Sequence, residues 1–250
     1  MKLIVTVGPG FSPTPHGHLL LLDWQARKVV AEFSYAHRVY SQSHKGLTGA
    51  SWYGERLLVA TEAELLEFSV APLRLIESRS FHFLNDVHHL AACGDRIWVC
   101  NTGLDCVEEL DAAWQPVTTH HLVKPFGRHP QQILELLRED IRKYWYRLRG
   151  RYDFYSHLTE RPVCRNVVKL VWQNAYRRNR RELRYCDFRP HVLHPNHVLP
   201  LEDDVWITLF RTGEIVSLRR GVTVARGLGH RTTGLCQATS SLSLTANRTG

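Results

Sequence analysis

The sequence lacks several features that would place it in a common class. No apolar run approaches the roughly 20 residues that a membrane-spanning helix needs. The N-terminal stretch "MKLIVTVG" is too short for the apolar region of a signal peptide. The motifs GxGxxG, GxxxxGK(S/T) and GxSxG are absent, which argues against common nucleotide-binding folds and the nucleophile elbow of α/β-hydrolases. We therefore expect a soluble, cytoplasmic protein of another class.

Cysteine spacing gives no framework either. The six cysteines include no CxxC pair and no zinc-finger spacing. In a chain without a secretion signal, scattered thiols are usually reduced and behave as small apolar side chains. The sequence thus predicts neither a disulfide scaffold nor a structural zinc site.

The net charge of +8 is concentrated in one segment. Residues 124–190 contain 17 Lys/Arg and 7 Asp/Glu, whereas the rest of the chain contains 15 basic and 17 acidic residues. A protein that binds nucleic acid over its whole surface would spread its basic residues more widely. The distribution therefore argues against nucleic acid as the partner.

Three stretches align with one another without gaps. They are "GLTGASWYGERLLVAT" from Gly46, "DVHHLAACGDRIWVCN" from Asp86 and "HPNHVLPLEDDVWITL" from His194. Each begins with a polar turn and continues with a short strand, a tight turn and a second, apolar strand. The first two copies lie 40 residues apart, which is the length of one four-stranded propeller blade. The repeat predicts a β-propeller.

The repeat is interrupted by a segment with helical periodicity. In "HPQQILELLREDIRKYWYRLRG", apolar residues recur every three or four positions and charged residues lie between them. We predict a single propeller domain over residues 1–250, a basic helical insertion at 129–186 and an irregular C-terminal tail at 231–250. About four blade-like units can be recognised, fewer than a six-bladed ring would have.

The aligned copies place histidines at one recurring position, the polar turn that leads into the first strand of a blade. In a propeller these turns crowd one rim of the central tunnel. Two further histidines lie near the same position in other copies. The candidate site residues are Asn85, Asp86, His88, His89, His194, Asn196, His197, His44 and His230.

Two of these turns, "LNDV" and "HPNHV", resemble the Asn-Asp and Pro-Asn turns of the six-bladed SMP-30/gluconolactonase, paraoxonase and strictosidine-synthase-like propellers. The resemblance implies that Asn196, with Asp86 or Asn85, binds a metal that polarises a lactone or ester for hydrolysis. His197 stands where the family has glycine. From the repeat and this resemblance, we predict an all-β fold, namely a β-propeller of the six-bladed type. The ring is incomplete if the recognisable blades are the only ones.

Several roles are open for these residues. Asp86, His194 and Asn196 are candidate metal ligands, His88, His89 and His197 candidate catalytic groups, and Asn85, His44 and His230 candidate substrate contacts. Oxygen ligands favour Ca²⁺, whereas imidazole favours Mn²⁺, Zn²⁺ or Fe²⁺. The Asx residues also suit ordinary turns, and each histidine also suits a buried, hydrogen-bonded position.

Three functions are consistent with this reading. The first is a metal-dependent hydrolase for a small lactone or ester. The second is a non-catalytic scaffold that binds a protein or glycan. The third is a lyase or oxygenase that holds its metal in a ring of histidines. The basic insertion has three interpretations: a solvated helix face, a cap over the tunnel mouth that binds an anionic ligand or closes the site, or a patch for nucleic acid or acidic membrane lipid.

Overall fold

A computed structural model describes most of the repeats and none of the predicted helical insertion at 129–186. The described residues are 2–7, 16–36, 38, 46–81, 83–126, 193–228, 232–237 and 242–246. Within them, the only helical elements are a turn of 3-10 helix at Thr102–Leu104 and a single α-helical turn, α1, at Val123–Phe126. No helix in this part of the chain is long and apolar enough to cross a membrane.

Four antiparallel sheets follow one another along the chain, and we call them blades 1 to 4. Blade 1 comprises β1 (Lys2–Val7), β2 (His16–Asp23) and β3 (Lys28–Ala36). Blade 2 comprises β4 (Gly49–Tyr53), β5 (Arg56–Ala60), β6 (Leu65–Val70) and β7 (Leu73–Arg79). In every blade each strand pairs with the strand that follows it in sequence.

The next two blades repeat this four-stranded order. Blade 3 comprises β8 (Val87–Cys93), β9 (Arg96–Asn101), β10 (Cys106–Leu110) and β11 (Pro116–His121). Blade 4 comprises β12 (Pro195–Pro200), β13 (Val205–Leu209), β14 (Glu214–Ser217) and β15 (Val222–Ala225). The prediction of an all-β propeller is confirmed, with four blades in the described part of the chain; six blades remain a prediction.

The C-terminal region also contains strands. The sequence predicts an irregular tail from residue 231, but β16 (Thr232–Gln237) and β17 (Leu242–Ala246) pair as an antiparallel two-stranded sheet. The alternation of leucine with serine and threonine in "LSLTA" is the period of a strand, and β16 lies next to β12.

In blades 2, 3 and 4, the first strand is the inner one. β8 lies between β4 and β12, so these three strands follow one another around the inside of the propeller. The last strands face outward, and β11 is exposed over most of its length. The backbones of β4 and β8 are so close at Gly49 that an added Cβ would lie 3.0 Å from His89 Cα. Glycine is therefore the residue that fits there.

The central strands bury side chains on both faces, which explains their unbroken apolar runs. In β9, Ile97 and Val99 face blade 2, whereas Trp98 and Cys100 face blade 4. Alternate residues thus belong to different hydrophobic clusters. A period-2 pattern of apolar and polar residues is absent because neither face of the strand meets water.

Three hydrophobic clusters fill the three boundaries between consecutive blades. The cluster between blades 1 and 2 includes Leu19 and Phe68, and that between blades 2 and 3 includes Leu58 and Leu90. The third, between blades 3 and 4, includes Trp98, Val198 and Ile207. No residue is shared between clusters, so the described core is a series of separate layers.

The turns define two rims. The entry rim carries the residues that lead into β4, β8 and β12, and the opposite turn rim carries the turns that follow these strands. Gly17, at the start of β2, lies on the entry rim because an added Cβ would be 2.8 Å from the backbone nitrogen of Leu47. Tyr35, near the end of β3, lies there too and donates a hydrogen bond to Glu64. The turn between β2 and β3 is therefore on the turn rim.

Removing a large side chain from one of these layers should unfold the chain more easily. Leu58 is 2% exposed in the layer between blades 2 and 3, whereas Ile76 is 47% exposed on β7. We expect Leu58→Ala to lower the free energy of unfolding by about 2–5 kcal/mol, because it leaves a cavity. Urea denaturation measures this loss. The control Ile76→Ala should cost less than about 1 kcal/mol, and equal losses would contradict the layered core.

Candidate functional site

One residue of the turn before the first strand has a positive φ in three blades. Gly46, Asp86 and His194 occupy equivalent positions in the repeat, and their φ angles are 77°, 52° and 56°. This left-handed region suits glycine and is tolerated by Asp and His more readily than by most residues. The recurring polar turn that the sequence predicts is thus a real structural repeat, and its backbone constrains which residue types can occupy it.

Just after this residue, the pairing of β8 with β9 and the pairing of β12 with β13 each shift by one residue. In β8 the shift lies between Val87 and His89, and in β12 it lies between Pro195 and His197. The extra residues of these two bulges are His88 and Asn196. Such bulges redirect a side chain away from the regular alternation of a strand.

These two redirected side chains meet between blades 3 and 4. His88 Nδ1 lies 2.5 Å from Asn196 Oδ1, and His88 Nε2 lies 3.1 Å from Asp86 Oδ1. The ring of His194 packs edge-on against His88, with 4.8 Å between ring centroids. His88 is therefore the centre of a polar cluster that joins β8 to β12.

The hydrogen bonds of His88 follow from the chemistry of its two partners. A carboxylate only accepts hydrogen bonds, so Nε2 carries a proton toward Asp86. In a neutral ring, Nδ1 carries no proton and accepts a hydrogen bond from the NH₂ group of Asn196. In an imidazolium, Nδ1 carries a proton and donates it to the amide oxygen of Asn196 instead. In both forms, the two ring nitrogens of His88 are occupied within the cluster.

A second contact, between His89 and His197, lies beside the first. The two rings stack with 3.6 Å between centroids and 26° between planes, and the backbone N–H of Val198 donates to His89 Nδ1 over 3.4 Å. Burial lowers the pKa of His197 to about 4. Burial and the neighbouring His197 lower the pKa of His89 well below its ordinary value. Both rings are therefore neutral at pH 7.

Residues from the β9–β10 turn fix the entry turns in place. Asp105 Oδ1 accepts hydrogen bonds from the backbone N–H groups of Leu193 (3.1 Å) and His194 (2.8 Å). The Thr102 hydroxyl donates to the carbonyl of Pro195 at 2.5 Å. These residues connect blade 3 to the start of blade 4, 88 or more positions later in the chain. The stretch "NTGLD" at 101–105 has the composition of an ordinary turn, so the sequence alone does not reveal this role.

Asn85 is buried and forms hydrogen bonds through its backbone. Its backbone N–H donates to the side chain of Asn101, and its carbonyl accepts from the N–H of Gly103. A Cβ at Gly103 would lie 1.9 Å from Asn85 Oδ1, so only glycine fits beside it. The side chain of Asn85 is 2% exposed. Its predicted contact with a substrate stays a prediction.

The structure thus gathers most of the predicted site residues at one place. Asp86, His88, His194 and Asn196 form the polar cluster, and the remaining pair, His89 and His197, forms the stack beside it. Two predicted substrate contacts, His44 and His230, lie outside the described residues. The roles of all these residues as ligands, bases or substrate contacts stay predictions.

The oxygen atoms of this cluster do not fit a calcium ion as they are arranged. Calcium takes six to eight oxygen ligands around one point. Here the side-chain oxygens of Asp86 and Asn196 both contact the ring of His88. They do not point to one common position that an ion could occupy. No group of three or more His, Cys, Asp or Glu residues within the described ranges has an arrangement that could hold a metal ion.

Thiol chemistry is disfavoured near the site. Cys100 pairs with His89 across β8 and β9, and Cys106 follows the β9–β10 turn. Burial raises the pKa of both thiols, and the carboxylate of Glu108 raises that of Cys106 further. Neither side chain forms the thiolate that a cysteine nucleophile needs.

Comparison with known proteins gives likeness of fold only. No protein-family model matches the sequence, and no curated protein matches it. The β-propeller domain of Cps50 (Swd1) from Myceliophteria thermophila is 12% identical, with a TM-score of 0.46, over 92% of this chain and 55% of that domain. A streptogramin B lyase is 10% identical, with a TM-score of 0.35, over 71% of this chain and 39% of the lyase.

The WD40 domain of Pan2 from Neurospora crassa is 15% identical, with a TM-score of 0.33, over 42% of this chain and 30% of that domain. The chain thus spans about half the length of the Cps50 domain and less of the other two. The resemblance to SMP-30/gluconolactonase propellers stays a prediction.

The neutral His89–His197 pair should make the protein sensitive to acid. Because the pKa of His197 is lower in the folded chain than in the unfolded one, the unfolded chain binds more protons as the pH falls from about 6.5 to about 4. His197 alone should lower the free energy of unfolding by on the order of 3 kcal/mol across this window. Chemical denaturation at pH 7.5, 5.5 and 4.5 measures the loss.

The variant His197→Phe keeps a ring in the stack and removes the titrating group. We expect it to lose less stability than the natural sequence between pH 7.5 and 4.5. The matched control is His121→Phe, because His121 is exposed on β11. If His197→Phe and the natural sequence have the same pH dependence, the buried neutral pair is not the origin of the acid sensitivity.

Proposed function

We propose that this chain is a non-catalytic β-propeller scaffold that presents a rim to a protein or glycan partner. One observation carries the proposal. In the polar cluster that would be the active site, the central side chains form hydrogen bonds with one another. Both nitrogens of His88 contact neighbouring side chains, and the carboxylate of Asp86, 1% exposed, contacts His88.

A catalytic base needs a free nitrogen within reach of the substrate. His88 has neither nitrogen free within the cluster, and its side chain is 18% exposed. His89 uses Nδ1 to accept a hydrogen bond from Val198. The lowered pKa of His197 makes it a weak base, and its Nδ1 is buried without a hydrogen-bond partner among the described residues.

The position of the cluster also supports a structural role. Its members come from β8 and β12 and from the turns that precede them, which lie on two different blades. A buried polar network of this kind fixes the register of two elements, because an alternative register would leave its groups unsatisfied. The cluster therefore aligns blade 4 on blade 3.

A metal-dependent hydrolase acting on a small lactone or ester is a second candidate. The observation that favours it is the convergence of Asp86, His194 and Asn196 around one ring, that of His88. A histidine-ring lyase or oxygenase would need His44 and His230 as well. Ca²⁺, Mn²⁺, Zn²⁺ and Fe²⁺ are the cations to test.

Thermal unfolding of the full chain with each cation separates the two candidates. A scaffold should keep its Tm within about 1 °C of the value in EDTA. A cation at about 100 times its Kd would add about 2.7 kcal/mol, which corresponds to a rise of about 5 °C or more for a chain of this size.

Variants of the cluster extend this test. For a scaffold, His88→Ala should lower the free energy of unfolding by about 1–3 kcal/mol without any metal, because Asp86 and Asn196 lose their hydrogen bonds to the ring. The control His121→Ala should change stability little. A cation-dependent rise in Tm that disappears in Asn196→Ala would contradict the scaffold and favour the hydrolase, to be followed by assays with ester and lactone substrates.

A further inference from the structure

We propose that the turn rim of blades 1 and 2 binds an acidic segment of a protein partner, with the exposed side chains of Trp24 and Trp52 as its apolar contacts. This inference rests on the proposed scaffold function and names the partner's chemistry. It concerns the rim opposite the histidine cluster.

Two tryptophans on this rim have large exposed surfaces. Trp24 is 59% exposed and Trp52 is 50% exposed, whereas Trp98 and Trp114 are at most 4% exposed in the core. A tryptophan that contributes to folding is usually well buried, and exposed aromatic residues are the commonest anchors of protein–protein interfaces. Neither Trp24 nor Trp52 belongs to a hydrophobic cluster between blades.

The topology places both tryptophans on the same rim of neighbouring blades. Trp24 lies in the turn between β2 and β3, and Trp52 lies two residues before the turn between β4 and β5. β1 lies next to β4, and β3 lies next to β7, so blades 1 and 2 are neighbours.

Exposed aliphatic side chains extend this surface on blade 1. Val29 and Val30 follow Trp24 at the start of β3 and are 51% and 43% exposed. The pairing of β2 with β3 shifts opposite Leu21 and Leu22, so Val30 is the extra residue of a bulge. The apolar surface therefore begins at the rim and continues onto the first residues of the outer strand.

Basic residues surround the tryptophans and indicate the charge of the partner. Arg27 and Lys28 are exposed three and four residues after Trp24. Arg56 is exposed close to Trp52 and forms an ion pair with Glu67. The nearby carboxylate of Asp23 accepts hydrogen bonds from the backbone N–H groups of Gln25 and Ala26, which lower its pKa, so it contributes one negative charge to this turn. Glu55 is the remaining exposed acidic residue of these two turns.

The corresponding rim of blade 4 differs in composition. Its turn between β12 and β13 carries two exposed acidic residues, Glu202 and Asp203, and no exposed aromatic residue. Arg219 and Val222 are exposed there, but Arg220 is paired with the buried Asp204. On blades 1 and 2, two exposed tryptophans are thus combined with the exposed basic side chains of Arg27 and Lys28, which favours an acidic, partly apolar peptide over a neutral glycan.

Fluorescence anisotropy with a labelled synthetic peptide tests the inference. The probe alternates glutamate with phenylalanine, and the comparison peptide carries lysine in place of glutamate. We expect the acidic peptide to bind the full chain, and raising NaCl from about 50 to about 300 mM to weaken binding. The double variant Trp24→Ala/Trp52→Ala should weaken it at least about tenfold, and Lys28→Glu should weaken it as well.

Matched controls come from the same rim of blade 4. Val222→Ala removes an apolar side chain that is 48% exposed, and Arg219→Glu reverses an exposed charge. Both should leave the affinity unchanged. Since all these side chains are exposed, the variants should keep the Tm of the natural chain, which confirms that a loss of affinity does not reflect unfolding.

Three results would overturn the inference. They are no binding of the acidic peptide, equal binding of the lysine peptide, and equal binding by the tryptophan double variant. Binding of a neutral oligosaccharide in place of the acidic peptide would identify a glycan site and would also overturn it. A cation-dependent rise in Tm would contradict the scaffold function itself, so the two proposals can fail separately.

Discussion

The structure depends on the packing of each blade against its neighbours. A propeller blade has two apolar faces, and its central strands therefore contain unbroken runs such as "IWVC" in β9. Ile97 and Val99 need blade 2 beside them, and Trp98 and Cys100 need blade 4. This requirement sets the order of the blades and brings the inner strands β4, β8 and β12 side by side. The polar cluster exists because two of these inner strands are held together by apolar packing outside it.

Much of this architecture can be predicted from the sequence, because it is a repeat. The aligned copies contain the same turn, strand, turn and strand, and in the structure tight turns at 54–55 and 94–95 follow β4 and β8. Asp86 and His194 are equivalent in the alignment and adopt the same unusual φ. The proximity of His88, His194 and Asn196 follows from the same equivalence.

The interactions of individual side chains could not be predicted in the same way. The sequence gives no sign that pairing shifts at His88 and at Asn196, and those shifts turn the two side chains toward each other. The bonds from Asp105 to Leu193 and His194 span almost 90 residues, so no local pattern reveals them. A polar turn that contains histidine therefore looks the same in the sequence whether its side chains bind a ligand or bind one another.

The three hydrophobic layers have no residue in common, and this has a consequence for how the molecule responds to damage. Each blade is stabilised by direct contact with its neighbours, as in linear arrays of repeats. A lesion at Leu19 affects blades 1 and 2 directly, and it reaches blade 4 only through the intervening layers. The described chain therefore tolerates change at its first blade better than in its middle, where a lesion in blade 3 disturbs two layers at once.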